Sequence, residues 1–396
     1  MSADRRGAIA VLGTGLAGLG HAGGLTEQEI IAQAACKAVA RSGLEMKDID
    51  GILTSSLTSP WWVMRMAEYL GIRPRFSDST MFGGSSFIAD LKVAALAIAA
   101  GECENVLVCY GSTPRSAPSS SKINQMRAEL DPQPYEHPYK PFNPVSSYAL
   151  AAARHMHQYG TTRRQLAEVA VAARQWAQRN ADAFARGPLT IDDVLGAKMI
   201  SDPLTVRDCC LVTDGAGAFV LTSAARARTL HAKPVYVLGS GHAHWHRQIS
   251  CMEDLTVTPA VDSGRSAFAQ AGLTPADIDH VNAHATSTPD GDTAELQAIR
   301  DILGEEHAAE VPITASKSML GHTLGAAGAI EAAITILALR DGCVPPTINL
   351  HDPDDAGEGL NLTPNVAQRH ALRIGLSNSF GFGGQNTALI FRRWDA

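Results

Sequence analysis

One short unit occurs twice in this chain: SGLEMKDIDGILTSS at 42–56 and AGLTPADIDHVNAHA at 271–285. Each follows a helix-periodic stretch, stops it at a glycine, turns through acidic residues and enters an apolar strand. A helix–turn–strand unit repeated in corresponding positions marks an internal duplication. The boundary falls near Arg228 to Lys233, which gives halves of 1–230 and 231–396. Helical and strand periods alternate throughout, as in an α/β chain whose helices pack on sheets.

In the first half, AIAVLGTG reads as a strand. TEQEIIAQAACKAVARS reads as a helix, with Thr26 as cap and Glu29 three residues later, the capping-box spacing. SFIADLKVAALAIAA is a second helix, ending at Ala100 before Gly101, and a strand follows from Asn105 to Tyr110. From about Ser112 to Asn143 the chain becomes polar and proline-rich. With the helix after it, this excursion (about 112–170) is a candidate substrate or dimer region, since long irregular segments often line sites or subunit contacts. Helical patterns return at YALAAARHMHQYG and RRQLAEVAVAARQWAQRNADAF, and DCCLVTDGAGAFVLTS is a turn and a strand. The second half repeats the scheme, with strand KPVYVLGSGHA, helices GDTAELQAIRDIL and GAAGAIEAAITILALRDG, and a final strand pair around GFGG.

Composition narrows the function. A net charge of -7, with no long Lys/Arg run, argues against nucleic acid as a partner. Seven cysteines without CxxC spacing fit a reduced, cytoplasmic protein. No segment has the ~20 apolar residues of a spanning helix, and the N-terminal apolar stretch is too short for a signal peptide. His242, His244 and His246 alternate on one strand face, but no acid or cysteine stands at ligand spacing. Neither a metal nor a cofactor is expected.

Three long motifs carry the chemistry: VNAHATSTPDGDTAEL around His284, SKSMLGHTLGAAGA around Lys317 and His322, and SNSFGFGGQN from 377. With their order and spacing, they resemble the thiolase superfamily, and residues 281–396 resemble the elongating β-ketoacyl-carrier-protein synthases. Residues 1 to about 280 resemble thiolase-like proteins related to sterol-carrier thiolases, through DIDGILTSS, IAAGECENVLVCYGS and DPLTVRDCCLVTDGAGA. The resemblance implies a five-layered αβαβα fold from two duplicated halves, a homodimer or a heterodimer with a synthase-like or small accessory subunit, and acyl-carrier-protein or coenzyme A thioesters as substrates. It places the two histidines on His284 and His322, the lysine on Lys317, and that lysine's acidic partner on Glu295.

The nucleophilic cysteine of such enzymes is absent. Counting back from AAGE puts its position on Gly84, and a one-residue slip would give Gly83 or Ser85. Ser85 or Ser86 could accept an acyl group only if a base eased formation of the alkoxide; their structural role would be to cap the following helix. Cys209 and Cys210 read as structural. Phe380, Phe382 and Gly383 are candidates for contact with an acyl chain or thioester arm, and Asn378 for ordering the glycine loop. His284 and His322 would donate hydrogen bonds to a thioester oxygen as enolate charge develops. The expected activity is that of a β-ketoacyl-synthase-like acyltransferase of fatty-acid or polyketide type. Alternatives are a malonyl-thioester decarboxylase, a non-elongating acyltransferase, a silent partner subunit, or a lipid or acyl carrier.

Overall fold

The structure, a computed structural model, describes residues 9–56, 59–81, 83–116, 135–142, 144–178, 185–230, 234–246, 248–254, 258–286, 289–320, 327–353, 355–381 and 385–394. The first half runs β1 (Ile9–Gly20), α1 (Glu27–Ser42), β2 (Gly51–Leu53), α2 (Trp62–Leu70), β3 (Phe76–Asp78), α3 (Ser86–Ala100), β4 (Asn105–Ser112) and β5 (Asp214–Ser223). The second runs β6 (Val235–Ala243), α4 (Ala260–Ala271), β7 (His280–Asn282), α5 (Pro289–Leu303), β8 (Ile313–Thr314), α6 (Ala327–Asp341), β9 (Ile374–Gly381) and β10 (Gln385–Arg393). The order of these elements is the same in both; between β4 and β5 the first half also carries helices Val145–Tyr159, Arg163–Ala177 and Ile191–Leu195 and the strand pair Met199–Ser201 and Leu204–Thr205.

The duplication extends to hydrogen bonding. One sheet contains the strands in the order β8-β7-β9-β10-β6-β1-β5-β4-β2-β3. From the centre outward, each half reads first, fifth, fourth, second, third. The two inner pairings of each half are antiparallel and the two outer ones parallel. The halves join through three antiparallel residue pairs, Ile9–Val237, Ala10–Tyr236 and Val11–Val235. The repeated sequence unit accounts for matching local features. Gly43 and Gly272 end α1 and α4 at φ 76° and 64°, a left-handed conformation that costs glycine little. Capping boxes Glu45/Asp48 and Thr274/Asp277 then turn the chain into β2 and β7.

Helices α3 and α6 touch each other and strands of both halves; α1 lies on β1, β5 and β4, and α4 lies on β6 and β10 with α5 beyond it. The result is the αβαβα layering of the thiolase-like fold. Composition explains which helices are central. In α6 nearly every side chain from Ala327 to Leu339 is buried, as an all-round apolar helix requires. In α1 the buried Ile30, Ile31, Ala34, Ala35, Ala38 and Val39 form one stripe. Strands buried on both faces divide their residues between layers. Val106, Val108 and Tyr110 of β4 face the central helices, where Phe87 and Phe219 meet at 5.1 Å, while Leu107 and Cys109 join the α1 side. Each such large side chain contributes about 1.5–3 kcal/mol by leaving water.

The Thr26 capping box forms as its spacing predicts, with Thr26 and Glu29 bonded reciprocally. Most of the polar excursion, 117–134, lies outside the described residues. The helices after it span Val145–Tyr159 and Arg163–Ala177; the predicted continuation through 179–184 is also outside. No helix among the described residues is long and apolar enough to cross a membrane.

Candidate active site

Strand β7 delivers His284 to its carboxyl end, where the chain bends and Ala285 takes φ 38°, a conformation that costs a non-glycine residue about 1–3 kcal/mol. Glu295, in the second turn of α5, holds this bend. Its Oε1 accepts from His284 N at 2.8 Å and its Oε2 from Ala285 N at 2.7 Å. Asn378, on β9, donates to Oε1 at 3.0 Å. Burial raises the Glu295 carboxyl pKa, and the bonds from Ala285, His284 and Asn378 oppose that shift.

Lys317 donates to His284 Nδ1 at 3.1 Å, and also to the His284 carbonyl and to Glu331 Oε1. These three acceptors use the three N–H donors of its ammonium, so Lys317 orients other groups. The Glu331 Oε2 is 3.8 Å from His284 Nδ1. All three side chains are buried. The acidic partner of Lys317 is therefore Glu331 on α6, and the assignment of Glu295 to that role is corrected. Both Glu295 oxygens are taken by the backbone bend and Asn378, whereas Glu331 projects from the central helix at the ammonium. A sequence signal existed: Glu331 is the one charged residue in the apolar run from Ala327 to Leu339.

This arrangement fixes the histidine's protonation. Burial, and next the Lys317 charge, hold its pKa well below the ordinary imidazole value. An ammonium donating to Nδ1 requires a lone pair there, so the neutral ring carries its proton on Nε2. His284 is thus a hydrogen-bond donor held in one tautomer. The Phe380 ring lies 5.3 Å from it at 43°, which brings that candidate into the site. Asn378 is bonded to Glu295 and supports the histidine bend. His322, Phe382 and Gly383 lie outside the described residues.

The region without a cysteine sits opposite, at the start of α3. Gly83 has φ 123°, and a Cβ there would lie 1.8 Å from Gln385 Oε1. Gly84 lies outside the left-handed region, and among the described residues its Cβ would meet only the Gly381 Cα, at 3.6 Å; Gly381 follows Phe380 directly. Position 84 is therefore the one of the two glycines able to bear a side chain. Ser86 Oγ donates to the Gly83 carbonyl at 2.7 Å. Ser85 occupies the N-cap position, yet its fully buried hydroxyl makes no capping bond and has no hydrogen-bond partner. Neither serine makes the capping bond predicted for it: the Ser86 hydroxyl donates to a carbonyl ahead of the helix and does not accept from a helix N–H. Cys209 and Cys210 are free thiols, half-buried and exposed. Among the described residues no group of three or more His, Cys, Asp or Glu side chains could hold a metal ion.

Residues 238–351 match the family "Beta-ketoacyl synthase, C-terminal domain". The 3-oxoacyl-[acyl-carrier-protein] synthase 2 of Vibrio harveyi is 40% identical over 197 residues, 47% of this chain and 45% of that protein. The same-named synthase of Rhizobium meliloti is 40% identical over 197 residues, 48% of this chain and 44% of that protein. The chain spans about half the length of the curated relatives it matches. Among solved structures, a chain of an "Ltp2-ChsH2(DUF35) aldolase" aligns over 100% of both chains at TM-score 0.71 and 24% identity. A chain of a complex of a type II polyketide acyl-carrier protein with its ketosynthase aligns over 98% of this chain and 100% of its own length, at TM-score 0.66 and 17% identity.

Proposed function

We propose that this chain, whose residues 238–351 match the β-ketoacyl synthase C-terminal domain, is a β-ketoacyl-synthase-like enzyme of acyl and malonyl thioesters that generates a thioester enolate without a cysteine nucleophile. The observation that carries this reading is His284, held neutral with its proton on Nε2 while the Lys317–Glu331 pair engages its other nitrogen. A fixed donor aimed where negative charge develops stabilises the enolate more than the ground state. His322 is the second donor in this scheme. In a malonyl thioester, the electrons of the breaking C–CO₂ bond pass onto the thioester oxygen, and CO₂ leaves. Lys317, Glu331, Glu295 and Asn378 keep the imidazole in place. Phe380 lies beside that ring and packs along the substrate.

The carrier is an acyl carrier protein or coenzyme A, and the working assembly is a homodimer or a heterodimer with a synthase-like or small accessory subunit. Incubation with malonyl-carrier protein or malonyl-coenzyme A, with and without an acyl thioester, tests the reading through CO₂ release and product masses. Release should fall at least about a hundredfold in His284→Ala, the usual effect of deleting an oxyanion donor. Release that is undiminished in that variant would refute the role of His284. No turnover with either carrier would leave the silent-partner function in its place.

A further inference from the structure

We propose that Asn282 is a positioning residue of the candidate site, its carboxamide fixing where the Lys317–Glu331 pair stands against His284. This deepens the enolate reading above and rests on it. One side chain ties together the three segments that supply those three residues. Its Nδ2 donates to the Glu331 carbonyl at 2.9 Å and to Thr335 Oγ1 at 3.1 Å, both on α6. Its Oδ1 accepts from the Ser316 hydroxyl at 3.1 Å, and Ser316 directly precedes Lys317. Asn282, Ser316 and Thr335 are each wholly buried.

Local geometry brings the carboxamide there. Asn282 ends β7, and residues two apart on an extended chain share a face, so Asn282 points with His284 toward α6. Glu331 and Thr335 are four residues apart on a helix and share its facing stripe; the Thr335 hydroxyl also donates to the Glu331 carbonyl, at 2.9 Å. The partners set the orientation of the amide. A carbonyl only accepts, so the nitrogen faces Glu331 and the oxygen faces Ser316. Both protons and the oxygen are engaged without touching the imidazole, the ammonium or the Glu331 carboxylate.

Each bond constrains a different part of the triad. Those to α6 hold the Glu331 backbone at β7, from where its carboxylate meets Lys317. The bond from Ser316 holds the turn from which Lys317 reaches His284, and the ammonium then finds its three acceptors. Hydrogen bonds weaken steeply away from their preferred angle. A small displacement of either segment therefore loosens the ammonium from Nδ1 and frees the imidazole to change tautomer.

The test uses the full chain, labelled with ¹⁵N-histidine, and malonyl-coenzyme A. Ser316→Ala releases only the Lys317 turn, Thr335→Val removes only the α6 hydroxyl, and Asn282→Leu removes the whole junction at similar volume. Ile336→Val, a core truncation elsewhere on α6, controls for lost stability. In wild type the His284 ring should show an acceptor Nδ1 and a protonated Nε2. In Ser316→Ala and Thr335→Val the two nitrogen shifts should move toward each other as tautomers mix. Their kcat for CO₂ release should fall about tenfold with KM little changed, and Asn282→Leu should show both effects more strongly. The two partner variants decide the matter by themselves if Asn282→Leu does not fold. Wild-type ring shifts in both of them, equal movement in Ile336→Val, or a loss confined to KM would leave Asn282 a packing residue and overturn the proposal. If wild type releases no CO₂ the enolate reading fails, and the ring shifts alone decide the positioning role.

Discussion

Restoring a thiol at the start of α3 separates positions 83 and 84 sharply. Gly84→Cys adds a Cβ at ordinary van der Waals distance, 3.6 Å from the Gly381 Cα, on backbone outside the left-handed region. Its stability should stay within about 1 kcal/mol of the parent, since loss of glycine's freedom in the unfolded chain offsets slight crowding. Gly83→Cys instead forces a side chain onto φ 123° with its Cβ 1.8 Å from Gln385 Oε1. Backbone strain of about 1–3 kcal/mol adds to overpacking of about 1–3 kcal/mol, about 4 kcal/mol at mid-range, and setting the ~1 kcal/mol of Gly84→Cys against it leaves about 3 kcal/mol between the variants. Unfolding entropy near 2.1 cal/mol/K per residue gives ~0.8 kcal/mol/K for this chain, so the thermal midpoints should differ by about 4 °C. Thermal denaturation measures that difference. Peptide mapping of Gly84→Cys after acetyl-coenzyme A treatment then asks whether the introduced thiol, activated by the helix N-terminus, carries an acetyl group above the parent's seven cysteines. Equal midpoints, or acylation in Gly83→Cys but not in Gly84→Cys, would refute the steric account.

Four further outcomes follow from the same geometry. Lys317→Met and Glu331→Gln should each cost about 3–5 kcal/mol by leaving a buried charge unpaired, and the double variant less than their sum; a double-mutant cycle by denaturant unfolding reads the coupling. Glu295→Ala strands the His284 and Ala285 N–H groups and the Asn378 amide, so it should lose several kcal/mol, at about 1–3 kcal/mol per buried donor, with CO₂ release falling alongside. Because the His284 pKa is lowered, its neutral, donating form persists from above neutrality down past the usual histidine range; an NMR titration of the His284 ring should show no inflection near pH 6–7, and protonation of that ring there would contradict the tautomer assignment. Asp90 on α3 is buried, and burial, with Asp78 second, raises its pKa to about 8. Between its unfolded value of 3.8 and about 8 the folded state holds the extra proton, so stability falls as pH rises through that window. Asp90→Asn should remove this slope and be relatively more stable at pH 8 than at pH 4 by a few kcal/mol; a parallel pair of stability–pH curves would count against it.

Much of the site was legible because its residues sit in long local motifs. His284 and Lys317 stand in VNAHATSTPDGD and SKSMLGHT, and the structure brings them together; Gly84, reached by counting back from AAGE, lies at the start of α3. The partner of Lys317 was not legible, because Glu295 and Glu331 lie equally within reach in sequence terms. Only the placement of α6 against β7 assigns one to the ammonium and the other to the backbone bend. The split between Ser85 and Ser86 was likewise hidden: both are serines at a helix start, and helix phase alone decides which hydroxyl reaches the Gly83 carbonyl.

By itself the sequence determined the periodicity, the glycine stops, the capping boxes and the doubled strand–helix plan. Those depend on interactions between residues a few positions apart, which any chain with this order would make. The tertiary structure decided the join of the two halves along β1 and β6, the burial that keeps His284 neutral, and the crowding that closes position 83 while leaving 84 open. Those depend on dielectric surroundings and contacts between segments hundreds of residues apart, which exist only once α3 and α6 are packed between the two halves of the sheet.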